Sequence, residues 1–362
     1  MKVLHVSTEK VWRGGEQQIA YLIESLQLLG VENVLICNKN SKMHHYAKIN
    51  KLNYRAVRIK NSIDLLAINS FVKIFKEVKA DIVHLHSSKA HTLSLLANLF
   101  VPKQKFVLHR RVSFPISAGF INNIKYNANS LKRIICISKE IQTRVQNITG
   151  ISKTEVIYSG INLDKFNNPI KEIDFRDRFQ IDSEQIIIGG VGALSIEKDF
   201  NTFINTASIA LKKVPNLSFL IVGDGPEKDK LKEKINQLGL NQKIILTGFL
   251  DNIPSLLSQL DIFMLCSQSE GLGTSFLDAF ASKLPVVATR TGGVPEIVIH
   301  NKTGLITEPG NTEQLAQFII ELAQNPEKRI KLGESAKKFV KDFSIEEMAK
   351  RHFNLYKKIL NS

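Results

Sequence analysis

Ile-Ile-Ile-Gly-Gly-Val-Gly-Ala-Leu, residues 186–194, decides the fold of this 362-residue chain. Three β-branched residues run into closely spaced glycines, which reads as a buried strand ending in a turn. The run follows a polar, proline-containing stretch, residues 161–184. It restarts a pattern that the first half has already completed. There, KVLHVS (2–7), NVLICN (33–38), DIVHLH (81–86), KFVLHR (105–110), RIICIS (133–138) and EVIYSG (155–160) alternate with helix-like segments. One such segment runs from about Glu16 to Leu29 and carries Ile19, Leu22, Ile23, Leu26 and Leu29 on one face. After residue 186 come LSFLIVGDG, KIILTGF, DIFMLCS, LPVVATR and GLITEP. Continuous apolar strands alternating with helices predict parallel sheets covered on both faces. The fold class is α/β: two Rossmann-like, doubly wound domains facing across a cleft, residues 1–165 and 166–344. A final amphipathic helix occupies about 345–362, with Ile345, Met348, His352, Leu355, Tyr356 and Ile359 along one stripe.

Composition narrows the function. The net charge of +15 is uneven: residues 1–160 hold 24 Lys and Arg against 9 Asp and Glu, whereas residues 161–362 hold 25 of each. A basic first half points to an anionic partner or to a solubilising surface. No helix-turn-helix, aromatic RNA platform or zinc module accompanies the charge, which argues against nucleic acid. Cys37, Cys136 and Cys266 sit singly in strand-like runs and read as small buried hydrophobes. The opening residues turn polar at once, unlike a signal peptide, and no apolar run reaches the ~20 residues of a spanning helix. The expected location is the cytoplasm, with peripheral docking on the inner face of the membrane as an option.

The chemistry concentrates in SQSEGLGTSFLDAFASKLPVVATRTGGVPEIV, residues 267–298. It begins where the strand DIFMLC ends, and ligands of open α/β sheets bind beyond the carboxyl ends of strands. Gly271 and Gly273 permit close backbone approach. Thr274 and Ser275 start a helix whose unpaired N–H groups suit a diphosphate. Glu270 stands in the loop and Asp278 one turn into the helix. A carboxylate there repels phosphate and is better suited to accepting hydrogen bonds from sugar hydroxyls. A capped surface helix with two incidental acids is the bland alternative. No Asp-x-Asp motif and no His/Cys ligand cluster stands in the sequence to argue for a metal site or a cofactor.

This stretch resembles the E-x7-E signature of retaining glycosyltransferase family 4, whose fold is the two-Rossmann GT-B type. The resemblance extends along the chain: Lys2–Ser7 with Trp12-Arg13-Gly14-Gly15-Glu16, Asp81–His86 (D-x-x-H-x-H), Val107-Leu108-His109, Tyr158–Asn162, and Leu220–Pro226 (LIVGDGP). The terminal helix is similar to one that crosses back onto the N-terminal domain. The resemblance implies sugar transfer with retention from a nucleotide-diphosphate sugar to a hydroxyl acceptor, without an obligatory metal. It implies that Glu270 contacts the donor sugar and that Gly271, Leu272, Gly273 and Thr274 give backbone contacts to sugar and phosphate. Asp278 would hold the ribose, and Lys198 in SIEKDF would neutralise the leaving diphosphate. Gly14 and Gly15 would let their loop approach the diphosphate and acceptor, with His109 on the acceptor side. His84 and His86 are weaker candidates, a strand-end histidine being more often structural. The chain departs from the pattern twice: Asp278 replaces the usual Glu, and Ala193 stands where the family often has Arg. Arg13, Arg110, Arg111 and Arg290 are the candidates to replace that cation.

The basic half suggests a polysaccharide, lipopolysaccharide or lipid-linked acceptor and an anionic membrane surface. Residues 110–133 mix Phe114, Ile116, Phe120, Ile121, Ile124 and Tyr126 with five basic residues, as an interfacial segment would. Three rivals stay open. A GT-B-type sugar-nucleotide epimerase or phosphorylase shares the two-domain architecture but does not predict the Glu-Gly-x-Gly segment. An NAD-dependent enzyme would need a third glycine after Gly223-Asp224-Gly225. A non-catalytic binding subunit would tolerate Ala193.

Overall fold

A computed structural model describes residues 1–111, 120–150, 152–170 and 173–362. Phe114 and Ile116 lie outside the described residues, as do the side chains of Phe120 and Ile121. The chain divides into two compact units, Met1–Gly160 with Ile345–Ser362, and Ile161–Ser344. The division falls a few residues before the expected position 165.

The first unit is built on a seven-stranded parallel sheet. Its strands are β1 (Lys2–Ser7), β2 (Glu32–Asn38), β3 (Tyr54–Val57), β4 (Ile82–Leu85), β5 (Phe106–Arg110), β6 (Leu131–Cys136) and β7 (Thr154–Val156). They lie in the order β3-β2-β1-β4-β5-β6-β7. The second unit carries β8 (Ile186–Val191), β9 (Leu217–Val222), β10 (Ile244–Gly248), β11 (Ile262–Leu265), β12 (Val286–Thr289) and β13 (Gly304–Thr307). Their order is β10-β9-β8-β11-β12-β13, again parallel. Strand order therefore reverses between β1 and β4 in one sheet and between β8 and β11 in the other. Loops leaving such neighbours diverge to opposite faces and open a crevice at the carboxyl ends.

Three helices position the candidate residues: α1 (Gly14–Leu28), α2 (Thr274–Ala281) and α3 (Ile345–Leu360). The first begins at the Gly-Gly pair, somewhat earlier than the periodicity suggested. The last buries Met348, Leu355, Tyr356 and Ile359 in one cluster with Val3, Leu22, Leu26, Val107 and Ile135 of the first unit. Full burial of each such apolar side chain stabilises the fold by about 1.5–3 kcal/mol. Where the chain leaves this unit, buried Gln18 donates from Nε2 to the Gly160 carbonyl (2.7 Å) and accepts at Oε1 from the Gly160 N–H (2.8 Å). Cys37, Cys136 and Cys266 are free and buried, as expected of small core residues. In the described part of the 110–133 segment, Tyr126 is buried and Ile124 is exposed. Among the described residues no helix is long and apolar enough to cross a membrane.

Candidate active site

In the second unit two loops meet at the point where strand order reverses. After β8, Gly192 and Ala193 lead into a tight turn, Ile196–Lys198. Asp199 follows with φ 48° and caps the next helix at Thr202 N (3.1 Å). After β11 the chain runs through Cys266 and Ser267 to Glu270. Gln268 ties the loops together: its Nε2 donates to Asp199 Oδ2 (3.0 Å) and its backbone N–H to the Glu197 carbonyl (2.8 Å).

This scaffold brings Lys198 and Glu270 into an ion pair, with Ser267 Oγ donating to the same carboxylate oxygen at 2.8 Å. The two residues were expected to serve sugar and diphosphate separately; here each is the other's partner. Part of the carboxylate loop rests on the Thr291-Gly292-Gly293 turn. Thr291 Oγ1 donates to the Gln268 carbonyl at 2.8 Å. Gly292 has φ +51°, and a Cβ there would lie 1.7 Å from the Glu270 carbonyl oxygen. The Gly-Gly-x-Pro-Glu pattern after β12 thus has a steric reason.

Gly273, at φ +84°, stands at the start of α2 and offers no side chain to cap it. The first-turn N–H groups of Thr274 and Ser275 therefore point out of the helix end beside Glu270, where the helix field favours an anion. Leu272 is buried, so its backbone is what the loop can present. Asp278 lies in the second turn of α2 and is partly buried. Burial pushes its carboxyl up to about 7, opposed by the nearby Lys165 charge. Ala193 is exposed at the strand end. Of the arginines considered as replacements for its missing cation, Arg290 is engaged by Glu308 at 3.0 Å.

The first unit assembles its own polar centre at the β1/β4 reversal. His5, His84, His86 and His109 from the sheet and His352 from α3 are all buried. This corrects the expectation that no histidine cluster exists: the five are scattered in sequence and adjacent strands plus the returning helix collect them. Nitrogens of His84, His109 and His352 lie within 4.8 Å of one another, as do those of His5, His84 and His86. The hydrogen bonds assign several tautomers. Asn33 Oδ1 accepts from His5 Nε2 (3.1 Å), so His5 Nδ1 is an acceptor, and His86 Nε2 donates to it (3.1 Å). His86 Nδ1 then faces Arg111 Nη2 at 3.5 Å, and His109 Nδ1 faces the same guanidinium nitrogen at 3.3 Å. His352 Nδ1 donates to the Met348 carbonyl (2.8 Å), and Tyr356 Oη meets His84 Nδ1 at 2.7 Å.

Burial holds His5 down at about 4 and His352 at about 3, and it keeps His84, His86 and His109 well below the ordinary range, reinforced by neighbouring histidines and Arg111. His109 is thus 4% exposed and turned into the protein rather than toward solvent. Gly15 packs near Arg111, a Cβ on it falling 3.6 Å from Arg111 Cδ, while Gly14 is exposed at the head of α1. Buried Glu16 closes that turn by accepting from Arg13 N–H at 3.1 Å. Sequence reasoning named His84, His86 and His109 singly and missed His5, His352, Arg111's partners and Tyr356. The hydrophobic stripe through His352 and Tyr356 was the available signal.

Two family models match the chain, Glycosyltransferase Family 4 over residues 12–165 and Glycosyl transferases group 1 over residues 171–339. The chain is 32% identical over 142 residues to N-acetyl-alpha-D-glucosaminyl L-malate synthase of Bacillus anthracis, covering 39% of this chain and 37% of that protein. Several such matches span 37% to 60% of the relatives' lengths. A longer one, 24% identical over 377 residues, is to the UDP-Gal:alpha-D-GlcNAc-diphosphoundecaprenol alpha-1,3-galactosyltransferase of Escherichia coli and covers 98% and 96% of the two chains. The solved structure of a glycosyltransferase from Rickettsia africae has a TM-score of 0.89 at 24% identity, covering 99% of this chain and 98% of that one. The structural likeness shows the GT-B fold. Both halves of the chain are thus similar to glycosyltransferases.

Proposed function

We propose that this chain, with its GT-B fold and its likeness to family-4-type glycosyltransferases, transfers a sugar from a nucleotide-diphosphate donor to a hydroxyl acceptor with retention. The observation that carries the reading is the Lys198–Glu270 pair beside the uncapped start of α2. Breaking the anomeric C–O bond leaves an oxocarbenium-like sugar and a diphosphate anion. Lys198 and the N–H groups of Thr274 and Ser275 stabilise that anion, the charge that grows in the transition state. Donor binding moves Lys198 from Glu270 to the diphosphate and frees Glu270 for the sugar hydroxyls. Gly271, Leu272 and Gly273 contribute backbone contacts, and Asp278 holds the ribose. A carboxyl near 7 can both donate and accept there. The Gly14-Gly15 loop approaches the diphosphate and acceptor. His109, near the carboxyl end of β5, serves the acceptor side of the sugar. The acceptor hydroxyl attacks from the leaving-group face and gives its proton to the departing diphosphate oxygen, and no metal takes part in the transfer.

The acceptor is a polysaccharide, lipopolysaccharide or lipid-linked saccharide of the cell envelope. The E. coli relative is by name a galactosyltransferase with a UDP-galactose donor and a diphosphoundecaprenol-linked acceptor. The basic excess of residues 1–160 fits an anionic acceptor or membrane surface. Incubation with a panel of sugar nucleotides tests the reading, with release of nucleoside diphosphate as the readout and nicotinamide oxidation as a parallel control. Slow donor hydrolysis without acceptor is the expected result. Absence of both release and any thermal shift with every nucleotide sinks the proposal.

A further inference from the structure

We propose that His84, His109 and His352 form a binding site for one borderline divalent metal ion, such as Zn2+ or Co2+, that fastens α3 to strands β4 and β5. The inference does not rest on the transferase reading. Nε2 of each of the three histidines is buried and, among the described residues, has no hydrogen-bond partner. Buried polar atoms are rarely left so, and one ring nitrogen of each of these three histidines lies close to one of the other two. The rings form a near-equilateral triangle, with centroids 5.4, 5.6 and 5.5 Å apart. The ligand nitrogens lie within 4.8 Å of one another. With Zn–N bonds of about 2.0–2.1 Å, tetrahedral ligands stand about 3.4 Å apart, so closure needs movements on the order of 1 Å.

The outer contacts suit ligation. His352 keeps its proton on Nδ1 by donating to the Met348 carbonyl, which leaves the Nε2 lone pair free. Tyr356 Oη can accept from His84 Nδ1 and set the same tautomer there. His109 is the costly member. Its Nδ1 faces Arg111, so ligation through Nε2 moves the proton to Nδ1 and breaks that 3.3 Å contact. Three neutral imidazoles favour Zn2+, Co2+ or Ni2+ over Mg2+ or Ca2+.

The test uses the whole chain, without a histidine tag and stripped by chelator. Co2+ is titrated while its visible absorption is followed, Zn2+ is used to compete, and Tm is recorded with each metal. The expected result is saturation at one equivalent, tetrahedral band intensity and a Tm rise that saturates at the same point. His352→Gln and, should that variant fold poorly, His84→Asn should each weaken binding at least tenfold. Arg111→Leu, which removes the opposing charge and the competing donor, should tighten it. The variant His45→Ala removes an exposed histidine and should change nothing. No saturable uptake by the wild type, or uptake retained in both His352→Gln and His84→Asn, overturns the proposal and leaves the cavity to water. Weaker binding in Arg111→Leu removes His109 from the ligand set.

Discussion

Asp278 shows how one side chain can be tuned by its place in the fold. Its carboxyl, raised to about 7 by burial, favours the protonated form when folded. The unfolded value is near 3.8, so its contribution to stability is full below that pH and is lost as pH rises through about 7. Asp278→Asn should therefore melt higher than wild type at pH 8, by a few kcal/mol at most, and equal it at pH 4. A difference between Asp278→Asn and wild type that stays constant from pH 4 to 8 would contradict the assignment. Asp278→Ala should chiefly weaken nucleotide binding. Glu270→Ala and Lys198→Ala should each lower kcat by roughly a hundredfold or more with the fold intact, measured as nucleoside diphosphate release and circular dichroism. Wild-type kinetics in both would remove the pair from the mechanism. Each of these residues was legible in the sequence, because each follows a strand and stands in a glycine-rich segment. Their pairing was not, since they lie on loops separated by three strands and only the sheet order joins them.

At the level of elements, the start of α2 depends on glycines placed for steric reasons. Gly292→Ala puts a methyl against the Glu270 carbonyl at a φ that disfavours side chains. It should displace Glu270 and cost most of the turnover while lowering Tm only modestly. Full activity in that variant would show that the turn does not hold the carboxylate. The terminal helix carries a comparable test. Tyr356→Phe leaves His84 Nδ1 without its partner in the core, a loss of about 1–3 kcal/mol by urea denaturation. The amphipathic stripe of this helix was evident from residues 345–359. What its histidine faced was not, because periodicity shows which side of a helix is buried and not the surface that buries it.

Across the whole molecule, parallel pairing in two doubly wound sheets followed from the alternation of apolar runs and helices, while the order of the strands came only with the structure. The polar centre of the first unit did not follow, because His5, His109 and His352 lie far in sequence from His84 and His86 and no single motif joins the five. Their titration gives that unit a pH response opposite to that of Asp278. His5 and His352 fall from about 6.5 to about 4 and about 3 on folding, so the unfolded chain binds more protons between those values. The stability of the first unit should be full above pH 6.5 and fall as pH drops toward 4, while the second unit gains from the protonation of Asp278. Calorimetry from pH 7.5 to 5 should resolve this as a first-unit transition moving to lower temperature. A first-unit transition that holds its temperature would refute buried, neutral histidines. The charge asymmetry makes a separate prediction at this scale. Flotation should recover more protein with anionic than with neutral liposomes, and equal recovery would remove membrane docking. Ile63, Leu65 and Leu66, exposed near Arg58 and Lys60, are the apolar residues best placed to assist.

The return of α3 to the first sheet also sets an order of events during synthesis. Val107, His84 and their neighbours emerge from the ribosome long before Met348, His352 and Tyr356, which cover them. At about 5–20 residues per second, translating the intervening second unit takes roughly ten to forty seconds. Throughout that interval one face of the first sheet lacks its final layer, and at its end the second unit has every residue it needs before α3 has been made. The later-made unit can thus finish folding first, and the nascent first unit is the part that needs protection from aggregation.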